Sequence, residues 1–139
     1  MKVKFKKLHP QAQMPIKAHN SDAGFDLTAT SRVNWYDIKV YGTGLAIDIP
    51  NGYVGLLFQR SSVYKQDLIL ANCVGVLDSG YQGEIIFKFR EVSTNPQVYE
   101  IGDRIGQLVI LKLPEVELIE VDNFEESERG EGGFGSTGS

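Results

Sequence analysis

The sequence predicts an all-β protein, a sandwich, jelly roll or barrel. Short runs rich in Val, Ile, Tyr, Phe and Thr recur at roughly 8–12-residue spacing, broken by Gly, Pro, Asn and Asp. No period of about 20–50 residues repeats along the chain, which sets propellers and solenoids aside. With 139 residues, 42% of them apolar and 23% charged, the chain is sized for one domain that buries its own core without disulfides.

The first strand is expected at residues 3–8, with Val3 and Phe5 on one face and Lys4 and Lys6 on the other. A solvated strand face and a basic binding patch are the two readings of those lysines. No apolar run follows the N-terminal charges, so the start is not read as a signal peptide. No stretch approaches the ~18 apolar residues of a membrane span. Further strands are expected at 25–30, 37–41, 44–49, 53–59, 68–71, 84–90, 107–113 and 116–121. Pro50-Asn51-Gly52 is a turn, because Pro fixes its own φ and Gly accepts a positive one. Asp78-Ser79-Gly80 and Gln82-Gly83 break the chain in the same way, and residues 63–70 are read as holding one short helical turn.

Fourteen basic against eighteen acidic residues give a net charge of −4, which argues against binding duplex nucleic acid. The single cysteine, Cys73, excludes an internal disulfide and a structural zinc site. A reducing cytoplasm suits it, and its apolar neighbours suggest burial.

From Glu115 to Glu131 the chain carries eight acids and one base, Arg129, and five of its fifteen glycines fall in residues 130–139. Such a segment cannot order itself, because glycine loses most backbone entropy and little is available to bury. A frayed tail or linker is one reading. Phe134 speaks for a functional arm, as do Arg129, Ser136 and Thr137, whose donors suit phosphate. Gly130-x-x-x-x-Gly135-Ser136-Thr137 approaches a P-loop, but Ser136 replaces its lysine and the sequence stops before a helix can follow. The segment could still wrap phosphates with N–H groups and hydroxyls.

Four internal stretches carry polar residues at strand ends. Ser21-Asp-Ala-Gly-Phe-Asp-Leu27 puts Asp26 at the entry to a strand, and Phe58-Gln-Arg-Ser-Ser62 ends one with a guanidinium and two hydroxyls. Asn72-Cys-Val-Gly-Val-Leu-Asp78-Ser-Gly-Tyr81-Gln-Gly-Glu84 delivers Asp78 from an apolar strand into a turn, in a tight β-hairpin. Ile101-Gly-Asp-Arg-Ile-Gly-Gln-Leu-Val-Ile110 brings Gln107 into an apolar strand, where its amide needs a partner. Each stretch alone is equally a turn or a polar strand end.

Together and in this order they resemble the trimeric dUTPases, a family described by five ordered motifs. The five are Ala23-Gly-Phe-Asp-Leu27, Arg60-Ser-Ser62, Gly75-Val-Leu-Asp-Ser-Gly-Tyr81-Gln-Gly-Glu84, Gly102-Asp-Arg-Ile-Gly-Gln107 and Arg129-Gly-Glu-Gly-Gly-Phe-Gly-Ser-Thr-Gly138. The resemblance covers residues from about 20 onward and turns the tail into an arm. It implies a jelly-roll core over residues 1–125 and a flexible Gly-rich arm over 126–139 that closes on a neighbouring subunit. The family assembles homotrimers with sites shared between chains: one chain gives the first, second and fourth motifs, another the third, and the last its arm.

The implied reaction is dUTP plus water giving dUMP and pyrophosphate with Mg²⁺. By position, Asp78 would orient or deprotonate the attacking water, since water near neutral pH is a poor nucleophile. Tyr81 would lie against the sugar and exclude a 2′-hydroxyl. Asn72, with the backbone at Gly75 and Val76, would read uracil in a pocket closed to the thymine methyl. Arg60, Ser61, Ser62 and Gln107 would serve the phosphates, with Asp26 supporting the site and the metal's water shell. Mg²⁺ would ride mainly on the phosphates, without a cage of protein ligands. Phe134 would stack on uracil, and Arg129, Gly135, Ser136 and Thr137 would grip the γ-phosphate. Gly80 stands where many members carry a second Asp, Gln59 where Pro or Gly often precedes the Arg, and Ser62-Val-Tyr64 replaces a smaller run. A dCTP deaminase shares the fold but needs a dedicated acid/base Glu and a longer chain. A non-catalytic binding protein would show a broken motif, and a protein partner beside the enzymatic role is compatible with the resemblance. His9 and His19 precede the first motif and read as surface residues.

Overall fold

The computed structural model describes residues 1–138; Ser139, the last residue of the expected arm, lies outside the described residues. The strands are β1 (Lys4–Lys7), β2 (Phe25–Thr28), β3 (Ser31–Trp35), β4 (Ile38–Asp48), β5 (Tyr53–Phe58), β6 (Leu68–Leu70), β7 (Gly75–Leu77), β8 (Glu84–Glu91) and β9 (Arg104–Lys112). A 3-10 turn, Ser61–Lys65, lies between β5 and β6 and fills the place of the expected helical turn. One sheet runs β1-β4-β8-β6 with β3 also paired to β4, and the other runs β2-β9-β5-β7. All of these pairings are antiparallel, and the two-sheet architecture is the all-β fold expected.

Alternation decides which residues meet between the sheets. Strand β8 buries Ile85, Phe87 and Phe89 and turns Ile86, Lys88 and Arg90 outward. Phe87 and Phe89 stack at 6.2 Å, Phe89 meets Tyr41 edge-on at 5.8 Å, and Tyr99 closes the cluster. The buried Tyr41 hydroxyl donates to the Tyr99 carbonyl at 2.8 Å. Gly106 of β9 lies under the Phe87 ring, where any Cβ would collide, so the second sheet approaches the first through a glycine.

Several elements differ from the expectation. Segments 37–41 and 44–49 form one strand, β4, whose pairing with β8 shifts register between Gly42 and Ala46. Gly44 takes φ +67° there, and the Glu84 carboxylate accepts its N–H at 2.8 Å. Strand β3 was not expected. It meets β4 through a two-residue turn at Tyr36-Asp37, with Tyr36 at φ +54° and none of the usual Asn-Gly signal. The expected strand at 116–121 is unpaired, and its apolar residues are exposed, Leu118 by 92%. Residues 72–84 form no hairpin, because β6 joins one sheet, β7 the other, and β8 the first again. Cys73 is exposed at φ +61° on the turn between β6 and β7, where burial was expected. His9 is half-buried over Gly44, 3.3 Å from the Thr30 hydroxyl, while His19 is exposed. Among the described residues no helix is long and apolar enough to cross a membrane.

Candidate functional site

Register in the second sheet assembles a polar cluster. Asp26 of β2 lies opposite Gln107 of β9, and Phe58, the last residue of β5, lies opposite Gln107 on the other side. The chain leaving β5 therefore carries Gln59 and Arg60 past Asp26. Arg60 Nε lies 3.3 Å from Asp26 Oδ1, and Arg104 Nη1 donates to Asp26 Oδ2 at 3.1 Å. Arg60 Nη1 also reaches Ser62 Oγ at 3.4 Å and the Arg104 carbonyl at 3.5 Å. Gln107 Nε2 donates to the Gln59 carbonyl at 3.3 Å, which gives its amide the partner the apolar strand demands. Its Oε1 lies over Gly24, where a Cβ would collide with it. The Gln59 side chain accepts the Leu70 N–H at 3.1 Å and so ties this corner to β6.

An open cleft of about 520 Å³ lies beside this cluster, lined by Arg60, Ser62, Lys65, Gln66, Asp103 and Arg104, with Tyr99 at its wall. Cluster and cleft together hold three cations, Arg60, Lys65 and Arg104, against two carboxylates, Asp26 and Asp103, and the positive excess suits an anionic ligand. Burial pushes the Tyr99 phenol above its ordinary range, with Arg60 pulling the other way. Burial likewise raises Tyr41, against a lowering by Arg32.

A second, smaller pocket of about 220 Å³ lies at the end of β7, lined by Leu57, Asn72, Gly75, Val76, Asp78 and Tyr81 among others. Asp78 leaves β7 directly, and its carbonyl accepts the Tyr81 N–H at 3.1 Å, closing a turn through Gly80 at φ +90°. The Tyr81 hydroxyl donates to the Glu84 carbonyl at 3.0 Å, and the ring lies over Gly83, where a Cβ would collide with it. Asn72 heads the β6–β7 turn, its carbonyl accepting the Val74 N–H at 2.6 Å. At about 220 Å³ the pocket is below the ~300–1,000 Å³ of drug-sized sites.

The chain thus brings Asp26, Arg60, Ser62 and Gln107 together, and Asn72, Gly75, Val76, Asp78 and Tyr81 together. The two clefts share no lining residue. The remaining candidates join neither group. Ser61 is exposed at the start of the 3-10 turn. Arg129 bends back to the Gly132 carbonyl at 2.7 Å, Phe134 is fully exposed at φ +51°, and Gly135, Ser136 and Thr137 are exposed beside it. Among the described residues no group of three or more His, Cys, Asp or Glu is arranged to hold a metal ion.

The sequence model of the dUTPase family matches residues 10–138. The chain belongs to the dUTPase family. The deoxyuridine 5'-triphosphate nucleotidohydrolase of Corynebacterium diphtheriae is 39% identical over 141 residues, covering 98% of this chain and 92% of that protein. That of Nautilia profundicola is 39% identical over 143 residues, covering 99% of each. The dUTPase of Staphylococcus bacteriophage 80alpha, solved with dUpNHpp, superimposes with a TM-score of 0.84 at 32% identity over 99% of each chain.

In this dUTPase-family chain the departures noted in the sequence have structural consequences. Gln59 replaces Pro or Gly with a side chain that anchors the corner to β6. Ser62-Val-Tyr64 lies inside the 3-10 turn, with Tyr64 exposed. Arg104 was not among the expected site residues. A linear signal existed, since Arg104 lies inside the fourth motif, Gly102-Asp-Arg-Ile-Gly-Gln107, but its contact with Asp26 emerges only from the packing of β2 beside β9.

Proposed function

We propose that this dUTPase-family protein hydrolyses dUTP to dUMP and pyrophosphate. The supporting observation is Asp78, which the end of β7 delivers to the wall of a small pocket shared with Asn72 and Tyr81. Uracil would enter between Asn72 and the backbone at Gly75 and Val76. A pocket whose buried polar groups are left unpaired by the wrong base discriminates strongly. The Tyr81 ring, held by its bond to the Glu84 carbonyl, would pack on the deoxyribose where a 2′-hydroxyl would stand.

Asp78 would take a proton from water as the water oxygen bonds to the α-phosphorus. The bond from that phosphorus to the oxygen bridging toward the β-phosphate breaks, and the leaving oxygen departs with pyrophosphate. Arg60, Ser61, Ser62 and Gln107 would hold the phosphate chain from the β5 corner. Phe134 would stack over uracil, and Arg129, Gly135, Ser136 and Thr137 would close on the γ-phosphate and exclude bulk water.

Magnesium is the metal this chemistry calls for, and a variant of the dUTPase from phage phi11 of S. aureus is described with a structural Mg(II) ion. Each Asp26 oxygen is already engaged by a guanidinium, which suits contact with a hydrated ion on the phosphates rather than a bare protein cage. When bound, the ion neutralises phosphate charge and polarises the phosphoryl oxygens.

The site would be completed across a homotrimer, its phosphate corner from one chain, the Asp78 pocket from a second and the arm from a third. Two separate clefts, a fully exposed Phe134 and the unpaired apolar stretch 116–121 support that assembly. The test is pyrophosphate release with Mg²⁺ from dUTP, dCTP, dTTP and UTP in parallel, with ammonia measured in the dCTP reaction. Release from dUTP alone is expected. Ammonia from dCTP would move the protein to the deaminases, and no product from any substrate would make it a binding protein.

A further inference from the structure

Asp26 is one carboxylate shared by two guanidiniums. Arg60 takes Oδ1 at 3.3 Å and Arg104 takes Oδ2 at 3.1 Å, from different strand ends, and the Asp26 side chain keeps only 16% exposure. A simple ion pair would leave this corner neutral. Adding the charges of Asp26, Arg60 and Arg104 leaves one positive charge in excess. Arg60 and Arg104 both line the open cleft, so that excess faces solvent and any ligand within it. The other charged groups of the cleft are Lys65 and Asp103. The Asp103 carboxylate accepts the Glu100 N–H at 2.7 Å and is held by its own turn.

We propose that Arg104 is a positioning residue that sets the charge of the phosphate grip. By drawing on Asp26 it keeps Asp26 from neutralising Arg60, and the affinity of the corner for a polyphosphate chain depends on that one retained charge. With Arg104 removed, Arg60 and Asp26 form a one-to-one pair of zero net charge. Arg60 then meets an anionic ligand only by giving up its sole counter-ion. One unit of charge near a half-exposed phosphate site is worth roughly tenfold in affinity. The effect grows with the number of phosphates and is small for a nucleoside monophosphate.

The inference rests on the proposed binding of phosphates at Arg60, so its test uses inorganic tripolyphosphate without metal, read by calorimetry on the full chain. Arg104→Gln should bind it about tenfold more weakly, and Arg104→Lys, which keeps the charge, should stay within about threefold of the parent. Asp26→Asn should bind about tenfold more tightly, because two cations then face the ligand without a counter-charge. The double variant Asp26→Asn with Arg104→Gln restores the net charge to one and should recover the parent affinity to within about threefold. A purely structural role for Arg104 would not be rescued by removing a second ion-pair partner. Unchanged binding in Arg104→Gln, or a double variant as weak as Arg104→Gln alone, would overturn the proposal. Asp26→Asn alone keeps the test decisive if Arg104→Gln fails to fold. Turnover of dUTP by the parent is measured alongside. Absent turnover with the affinity pattern intact removes only the dUTP reading, and normal turnover with flat affinities removes only this inference.

Discussion

Replacing Gly24 with Ala reaches the phosphate corner without altering any charge. A Cβ at Gly24 would overlap Gln107 Oε1 and stand 3.1 Å from the Gln107 Cβ and Cδ. Gly24 is not at a positive φ, so alanine can take the backbone conformation, and the flexible Gln107 amide is what yields. An ordinary contact requires Oε1 to retreat by about 1 Å. That movement breaks the 3.3 Å bond from Gln107 to the Gln59 carbonyl. Losing one such bond costs about 0.5–1.5 kcal/mol. For a domain of this size the melting temperature should fall by about 2–8 °C, leaving the fold intact. A displacement of about 1 Å in a group that positions the reacting phosphate can cost up to about a hundredfold in rate. Steady-state pyrophosphate release from dUTP should therefore show kcat/KM reduced about 10–100-fold. In a Gln107→Ala background the same substitution should add less than about twofold, because the two changes act through one amide. A kcat/KM within about threefold of the parent would refute the assignment of Gln107 to the phosphates.

Asp78→Asn should abolish turnover while retaining binding of a non-hydrolysable dUTP analogue, since the side chain keeps its shape and loses its basicity; near-normal turnover would remove Asp78 as the base. Deleting residues 129–139 should leave the folding transition unchanged and remove most of the activity, because the described part of that segment is largely exposed; a chain that aggregates instead would make the segment structural. Alkaline stability follows from the two buried phenols, both raised above the ordinary value of 10.0. The unfolded phenols lose their protons first, so the stabilisation is full below about pH 10 and is lost as pH climbs through the higher folded values. Tyr99→Phe should flatten that decline in a denaturant titration series, and an equally steep decline would reject Tyr99 as a contributor.

What the sequence revealed and what it hid divide along physical lines. Strand β8 was legible because its Ile85, Phe87 and Phe89 alternate with polar or outward residues over eight positions. The N-terminal strand was legible for the same reason, with Val3 and Phe5 half-buried and Lys4 and Lys6 exposed. Strand β3 was hidden because its turn uses Tyr36 at a positive φ, a conformation that no local residue preference announces. The stretch 116–121 has strand composition but finds no strand partner among the described residues, so composition alone misplaced it. At the site, Asp26, Arg60 and Gln107 were found in three separate motifs, while the pairing that joins them, and the place of Arg104 beside them, came only with the register of β2, β9 and β5. The β7 turn shows the opposite balance. Asp78, Tyr81 and Gly83 were evident as a unit, but the hairpin expected there is a passage between two sheets.

Mixing two inactive chains tests most directly that dUTP is hydrolysed in a site shared between subunits. One chain carries Asp78→Asn and the other lacks residues 129–139, and the two are unfolded together and refolded in equal amounts. If Asp78 and the arm reach each site from different chains, half the sites receive an intact Asp78 and half of those an intact arm. Random trimers should then recover about a quarter of the parent activity. Activity no higher than that of either chain alone would contradict the shared site and return both groups to a single chain.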